Sequence, residues 1–342
     1  MFSLPSEVQL DIFKFLNYEE LCSMKQTNLY FSNFINNFEG ELAREKFSKI
    51  SIVMRNIDQS KTESHKLIQP KAENFHFSLN DEEIEEKWKN GLDKPYPLYL
   101  TDQDSNDKNI VICLSKVSGS KWDFLLQLPT IIKSKEDIKI VYYYLNKLFN
   151  CSFVYGDFEN FLFNLQLIQL LFGNTKQIYI EICELFITEQ NIENLFQHVL
   201  NHLIGEGLRI YFSLSKDIVG KSKNILFKIL MSGGDNFEEV FLTFNNSPGD
   251  LDHSINVPIL YGRIVEHIAT SRNCSKIVPV INLDYIGSVI LKLSERAEKV
   301  EFVQMDNKKC VKYQIANIYN SKVRFSFFNN EFSYVDIRRM KE

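Results

Sequence analysis

Residues 4–38 read LPSEVQLDIFKFLNYEELCSMKQTNLYFSNFINNF, three short apolar segments separated by polar breaks. Pro5 suits the first turn of a helix, where its missing N–H had no partner to lose. Ser3 or Ser6 supplies a cap, and Glu7 sets a negative charge against the positive helix end. Val8, Leu10, Ile12, Phe13, Phe15 and Leu16 follow, more apolar surface than one amphipathic helix needs to cover a core. After Asn17-Tyr18, Glu19-Glu20 open a second helix carrying Leu21, Cys22 and Met24. Thr27 or Asn28 caps a third, with Leu29, Phe31, Phe34, Ile35 and Phe38. Helices this short cannot bury that many large side chains among themselves, so the surplus belongs to the rest of the chain or to a partner.

The Leu4-Pro5 pair with Glu7, the Ile12-Phe13-x-x-Leu16 block, Leu21-x-x-Met24 and the Phe31-x-x-Phe34-Ile35 close, taken together, resemble the F-box over residues 2–45. Asn28 and Phe31 depart from the pattern, which more often has Cys or Ser and Trp there. The resemblance implies a three-helix domain over 1–47 and a substrate-recognition domain over 48–342. It also implies docking onto a Skp-type adaptor and through it onto a cullin–RING ubiquitin ligase. Leu4, Pro5, Ile12, Phe13, Leu16, Leu21 and Met24 would face the adaptor, while Phe31 and Phe34 would hold the helices together or onto the second domain. Catalysis would then be done elsewhere, and this chain is not expected to be an enzyme.

The totals narrow the class. A chain of 342 residues with 44% hydrophobic and 24% charged content is an ordinary globular composition with room for two domains. Its 28 phenylalanines against 13 glycines and 8 prolines point to filled cores. A formal charge of −5 argues against nonspecific nucleic-acid binding. No apolar run has the length of a membrane span, and the first residues lack the basic and apolar regions of a secretory signal. Cys22, Cys113, Cys151, Cys183, Cys274 and Cys310 include no CxxC pair and read as buried reduced thiols, so cytosol or nucleus is expected.

Beyond the first domain, 40–47 continues or ends the third helix and 50–54 is a first strand. Residues 55–80 read as a connection, 81–89 as a helix, and 96–100 with 110–114 as a hairpin or two adjacent strands. From about residue 120 a unit repeats. Strand-like runs fall at 151–155, 177–185, 208–214, 239–244, 276–283 and 299–305, with helical runs at 161–172, 192–203, 224–231 and 261–269 between them. Alternating strands and helices support an α/β domain with a parallel sheet. The expected form is irregular and leucine-rich-repeat-like, with a strand-rich C-terminal cap over 311–340; a compact α/β layer also fits the spacing. Tyr179, Glu181, Arg209, Tyr211 and Glu301 are the strand positions where contact with a target protein, itself unidentified, is expected.

Local chemical motifs are weak. Residues 215–222, SKDIVGKS, lie between a strand and a helix as a P-loop would, and a nucleotide-binding α/β protein is the alternative they raise. Ser215, however, stands where that motif needs glycine, and Asp284 is only a generic strand end. His198 and His202 have the i,i+4 spacing of metal ligands, but the apolar stripe of their helix lies elsewhere and both are expected to face solvent. Gly205-Glu206-Gly207 reads as a turn ending that helix. His76, His253 and His267 have no paired nucleophile at readable spacing, and the acids of 81–86 read as a solvated helix start. No cofactor or metal is expected.

Overall fold

In a computed structural model the described residues are 4–54, 65–71, 95–101, 110–116, 123–158, 161–173, 176–187, 192–213, 218–245, 256–285, 291–305, 308–330 and 334–341, with Glu82, Glu86 and Lys89. The expectations for most of 55–80, including His76, and for most of 81–89 with its acidic run lie outside them, as does His253.

Three helices come first: α1 (Ser6–Phe13), α2 (Tyr18–Lys25) and α3 (Leu29–Asn37). Asn17 and Glu20 form a reciprocal capping box on α2, and the Asn28 side chain accepts from the Phe31 N–H to start α3. Leu10, Phe13, Leu21, Phe31, Phe34, Ile35 and Leu42 pack into a small core of their own. The third helix ends at Asn37, and a strand, β1 (Glu45–Met54), already begins where a helix continuation was expected.

The remaining described strands build one large mixed sheet and two small two-stranded ones, and the fold is α/β overall. Strand β2 is His65–Ile68, β3 Tyr96–Pro97, β4 Tyr99–Thr101, β5 Ile110–Lys116, β6 Asp123–Leu126 and β7 Ile131–Ile132. Helix α4 (Lys135–Phe149) follows, then β8 (Cys151–Phe158), β9 (Phe161–Phe163), α5 (Leu165–Phe172), β10 (Ile178–Ile187), α6 (Ile192–His202), β11 (Leu203–Ser213), α7 (Ile218–Ser232), β12 (Phe237–Asn245), α8 (Asn256–Thr270) and β13 (Val280–Tyr285). The last strands are β14 (Glu298–Met305), β15 (Lys308–Ala316), β16 (Arg324–Asn330) and β17 (Tyr334–Arg339). The order across the sheet is β14-β15-β16-β17-β13-β12-β11-β10-β8-β1-β5-β6-β2.

Its centre, β1-β8-β10-β11-β12-β13, is parallel throughout. From β8 through β10, β11 and β12 to β13 a helix precedes each new parallel strand, which lies beside the one before it, and α5, α6, α7 and α8 touch in sequence, forming one layer. Towards that layer point Ile180, Cys183 and Leu185 of β10, Leu208, Ile210 and Phe212 of β11, Val240 and Leu242 of β12, and Ile281 and Leu283 of β13. The tail forms an antiparallel meander on the outer side of β13. Asn317 ties it down, donating from Nδ2 to the Ile268 and Ser271 carbonyls at 2.7 and 2.8 Å.

Four expectations change. Ile110–Lys116 pairs with β1, while Tyr96–Pro97 and Tyr99–Thr101 pair with β7 and β9, so no hairpin joins them. Phe161–Phe163 is a strand and only Leu165–Phe172 is helical, because Asn164 caps the helix through the Gln166 N–H. Strand β14 lies at the antiparallel edge, outside the parallel series. Gly205 sits inside β11: a Cβ there would lie 1.7 Å from the Ile180 carbonyl oxygen, so glycine serves a close backbone approach and not a turn.

Candidate protein-binding surfaces

The first surface is made by the three helices. Gln9, buried, donates from Nε2 to the Leu4 carbonyl at 2.7 Å and accepts from the Tyr30 hydroxyl at 2.8 Å, pinning the start of α1 against α3. The Phe13 ring lies 5.7 Å from Phe31 and 5.3 Å from Phe34, and Phe34 lies 4.8 Å from Phe38. Of the residues expected to face an adaptor, Leu4 and Pro5 are exposed, and Ile12, Leu16 and Met24 are half-buried. Phe13 and Leu21 are fully inside the helical core. Their expected place at an interface is corrected: they take part in folding, for the same reason as Phe31 and Phe34, because their positions on α1 and α2 point inward. Sequence reasoning left out the side chains that the surface does offer: Phe15 at 89% exposed, Leu29 at 75%, Val8 and Tyr30. Large apolar groups in water at adjacent helix ends are the signal of a site waiting for cover.

The second surface is the sheet face opposite the helix layer. Side chains directly paired across neighbouring strands share a face. Asp157, Glu184, Arg209, Phe241, Asn282, Asp336, Phe328 and Lys312 follow one another across eight strands in register, ending opposite Glu301 on β14. A parallel row runs through Phe186, Tyr211, Thr243, Asp284 and Tyr334. Arg209, Tyr211 and Glu301 are thus on one face, and Tyr179 is grouped with Glu181, Lys46 and Glu206 at the start of the strands.

Glu184 is the hub. Its carboxylate accepts from the Tyr155 hydroxyl, from the Tyr211 hydroxyl at 3.2 Å and from Arg209 Nη1 at 3.2 Å. Burial pushes up the pKa of both phenols, and the neighbouring Glu184 charge adds to it. The Phe186 and Tyr211 rings stack at 4.9 Å. Lys49 pairs with Asp157 at 3.0 Å and Lys46 with Glu181 at 2.5 Å. Further along, Asn282 donates to Glu239 at 2.5 Å and accepts from the Tyr334 hydroxyl at 2.6 Å, and Arg338 grips Asp336 with two nitrogens. Beyond these, Lys299, Glu301, Met305, Lys312 and Phe328 line a groove of about 470 Å³. Phenols, guanidinium and carboxylates satisfying one another suit recognition, with Tyr and Arg the residue types favoured at interfaces.

The motifs weighed for chemistry resolve differently. Helix α7 already begins at Ile218, so Gly220, Lys221 and Ser222 lie inside it; Ser215, where the motif needs glycine, is outside the described residues. His198 and His202 are both fully buried, against the expectation of solvent exposure, because the layer of α5 to α7 closes over that side of α6. His202 Nδ1 lies 3.0 Å from the Lys176 carbonyl, and burial, with His202 beside it, pulls His198 down to about 3. Among the described residues no three His, Cys, Asp or Glu side chains converge as a metal site, and no helix is long and apolar enough to cross a membrane. Of the six free cysteines, Cys151, Cys183, Cys274 and Cys310 are buried and Cys22 and Cys113 half-buried.

Comparison with protein families gives two matches: residues 1–40 match the F-box domain, and residues 68–213 match the Domain of unknown function (DUF8381). No curated protein and no solved structure matches the chain. F-box domains in general bind Skp-type adaptors of cullin–RING ligases, and their proteins are typically non-catalytic; neither match indicates an enzymatic family. The chain therefore carries an N-terminal F-box domain followed by a divergent C-terminal region.

Proposed function

We propose that this F-box protein is the target-recognition subunit of an SCF-type ubiquitin ligase, acting in the cytosol or nucleus. Helices α1 to α3 dock onto a Skp-type adaptor. The sheet that follows is leucine-rich-repeat-like in use: helices cover one face, and the other reads the target protein and holds it near the transferred ubiquitin. The observation that carries the reading is the apolar set Leu4, Val8, Phe15 and Leu29 standing in solvent on a domain whose own core is already filled by Phe13, Leu21, Phe31 and Phe34. An interface of standard size buries about 800 Å² per partner around a few anchors. Phe15 and Tyr30, with the aliphatic Leu4, Val8 and Leu29, supply such anchors.

The domains divide between Asn37, where α3 ends, and Glu45, where β1 starts. The test is a pull-down of the full chain with a Skp-type adaptor and its cullin, beside a Leu4→Ala/Pro5→Ala variant. Wild type should retain both proteins and the variant neither, with unchanged melting. Adaptor retained without cullin would make the chain a scaffold outside a ligase; a well-folded wild type that retains no adaptor would end the reading.

A further inference from the structure

The sheet face that no described helix covers carries more carboxylates than cations. From β1 to β17, Asp157, Glu181, Glu184, Glu206, Glu238, Glu239, Asp284 and Asp336 lie on or beside it, against Lys46, Lys49, Arg209 and Arg338; further out, Lys312 on β15 stands opposite Glu301. Those four cations are already engaged: Lys46 with Glu181, Lys49 with Asp157, Arg209 with Glu184 and Arg338 with Asp336. Glu206 shares Lys46 and Glu239 shares Arg338, which leaves the patch short of positive charge. Between the carboxylates stand Tyr155, Tyr179, Tyr211 and Tyr334.

We propose that this face binds an extended lysine- and arginine-bearing segment of the target protein. The inference rests on the reading of the sheet face as the target surface and adds the chemistry of the target. Charge complementarity selects the occupant, since carboxylates in excess of their cations attract and orient a basic chain. The tyrosines supply the second half of the recognition: a ring face attracts ammonium and guanidinium groups that a neighbouring carboxylate also holds. Each of the four phenols has a raised pKa, chiefly from burial, with one or more of these carboxylates adding to it; they stand in a negative field. The span fits as well. Strands lie about 4.8 Å apart, so crossing from β8 to β13 takes roughly 19 Å, about six residues of extended chain.

The probe is a fluorescein-labelled deca-lysine peptide, read by anisotropy with the full chain at fixed ionic strength, with deca-glutamate as its counterpart. Glu206→Lys/Glu239→Lys changes the face, and Glu266→Lys/Glu295→Lys makes the same change of charge at exposed positions outside the two strand-crossing rows. Expected are binding of deca-lysine alone, a loss of tenfold or more in the first variant and under twofold in the second. A milder Glu206→Gln/Glu239→Gln pair, expected to lose part of the affinity, keeps the test valid if the reversed charges disturb folding. Equal loss in both lysine variants, or none in the first, would overturn the proposal, as would tighter binding of deca-glutamate. Spermine displacing the peptide from the face with equal affinity per charge would also overturn it, because a small polyamine and not a protein segment would then be the occupant. Adaptor capture by the same variants separates the two readings: captured adaptor with no peptide preference removes only this assignment.

Discussion

Phe13 and Phe15 are two residues apart, and their substitution by alanine should do opposite things. Phe13 is fully buried between Phe31 and Phe34, whereas Phe15 is 89% exposed just past the end of α1. Removing a buried phenylalanine ring leaves a cavity and costs about 3–5 kcal/mol, a large share of what a small helical core supplies. Phe13→Ala should therefore melt the three helices and lose adaptor binding with them. Phe15→Ala gives up no internal packing and should leave melting within about 0.5 kcal/mol of wild type. If Phe15 is an anchor, its complete burial on docking contributes about 2 kcal/mol, and truncation should weaken the adaptor complex about 30-fold. Titration calorimetry of each variant against the purified adaptor, with circular dichroism melts alongside, reads both quantities. Wild-type affinity for Phe15→Ala, with Leu4→Ala/Pro5→Ala still defective, would refute the reasoning from exposure. A folded Phe13→Ala helical domain would refute the assignment of its core.

Three further outcomes can be measured on the sheet domain. Gly205→Ala pushes a methyl group into the Ile180 carbonyl, which backbone movement alone can relieve, and should cost more than about 3 kcal/mol in denaturant unfolding. His198 titrates near 6.5 when unfolded but is pulled down to about 3 when folded, so the unfolded chain takes up a proton that the native one refuses. Stability should fall by about 1.4 kcal/mol per unit as pH drops from 6.5 towards 3, and His198→Leu should remove that part of the slope in denaturant titrations at each pH. Glu184→Ala leaves Tyr155, Tyr211 and Arg209 without their shared acceptor; it should lower the ionisation pH of the two phenols in an ultraviolet titration and weaken folding by about 1 kcal/mol.

The helices were legible because their caps and spacings are local: Asn17, Glu20 and Asn28 act within one turn of themselves. The strands of the repeat were legible through alternation, as at Leu208, Ile210 and Phe212, which all face the core. What sequence spacing does not carry is which of two faces a neighbouring element covers. His198 and His202 read as polar and outward on an isolated helix, and only the packing of α5 and α7 beside α6 encloses them. Phe13 and Phe15 read alike until α3 occupies one side of α1. Glu184, the hub of the sheet face, carries no motif at all; its role comes from register, which brings Tyr155 and Arg209 to it from the strands on either side. Gly205 read as a turn because glycine marks turns and close approaches with the same letter.

The two surfaces are joined by chain continuity and by polar contacts more than by a shared core. The helical core and the sheet core are separate clusters. Between them Glu39, just past α3, accepts from Asn150 Nδ2 at 2.8 Å at the entrance to β8 and lies 3.8 Å from Lys25 of α2. Tyr18 of α2 stands close to Glu45 of β1 and to Cys151 of β8, its pKa raised by burial first and by Glu45 next. A junction built this way fixes direction without merging the two units: the hydrogen bond and ion pair set the angle at which the sheet leaves the helices, while each core folds around its own aromatics. On the proposed reading, in which one surface holds an adaptor and the other a target, the angle is the functional quantity. Asn150→Ala should accordingly leave adaptor affinity and deca-lysine affinity at wild-type values while slowing ubiquitin transfer in a reconstituted ligase. A variant that lost either affinity would show instead that the junction supports the surfaces themselves.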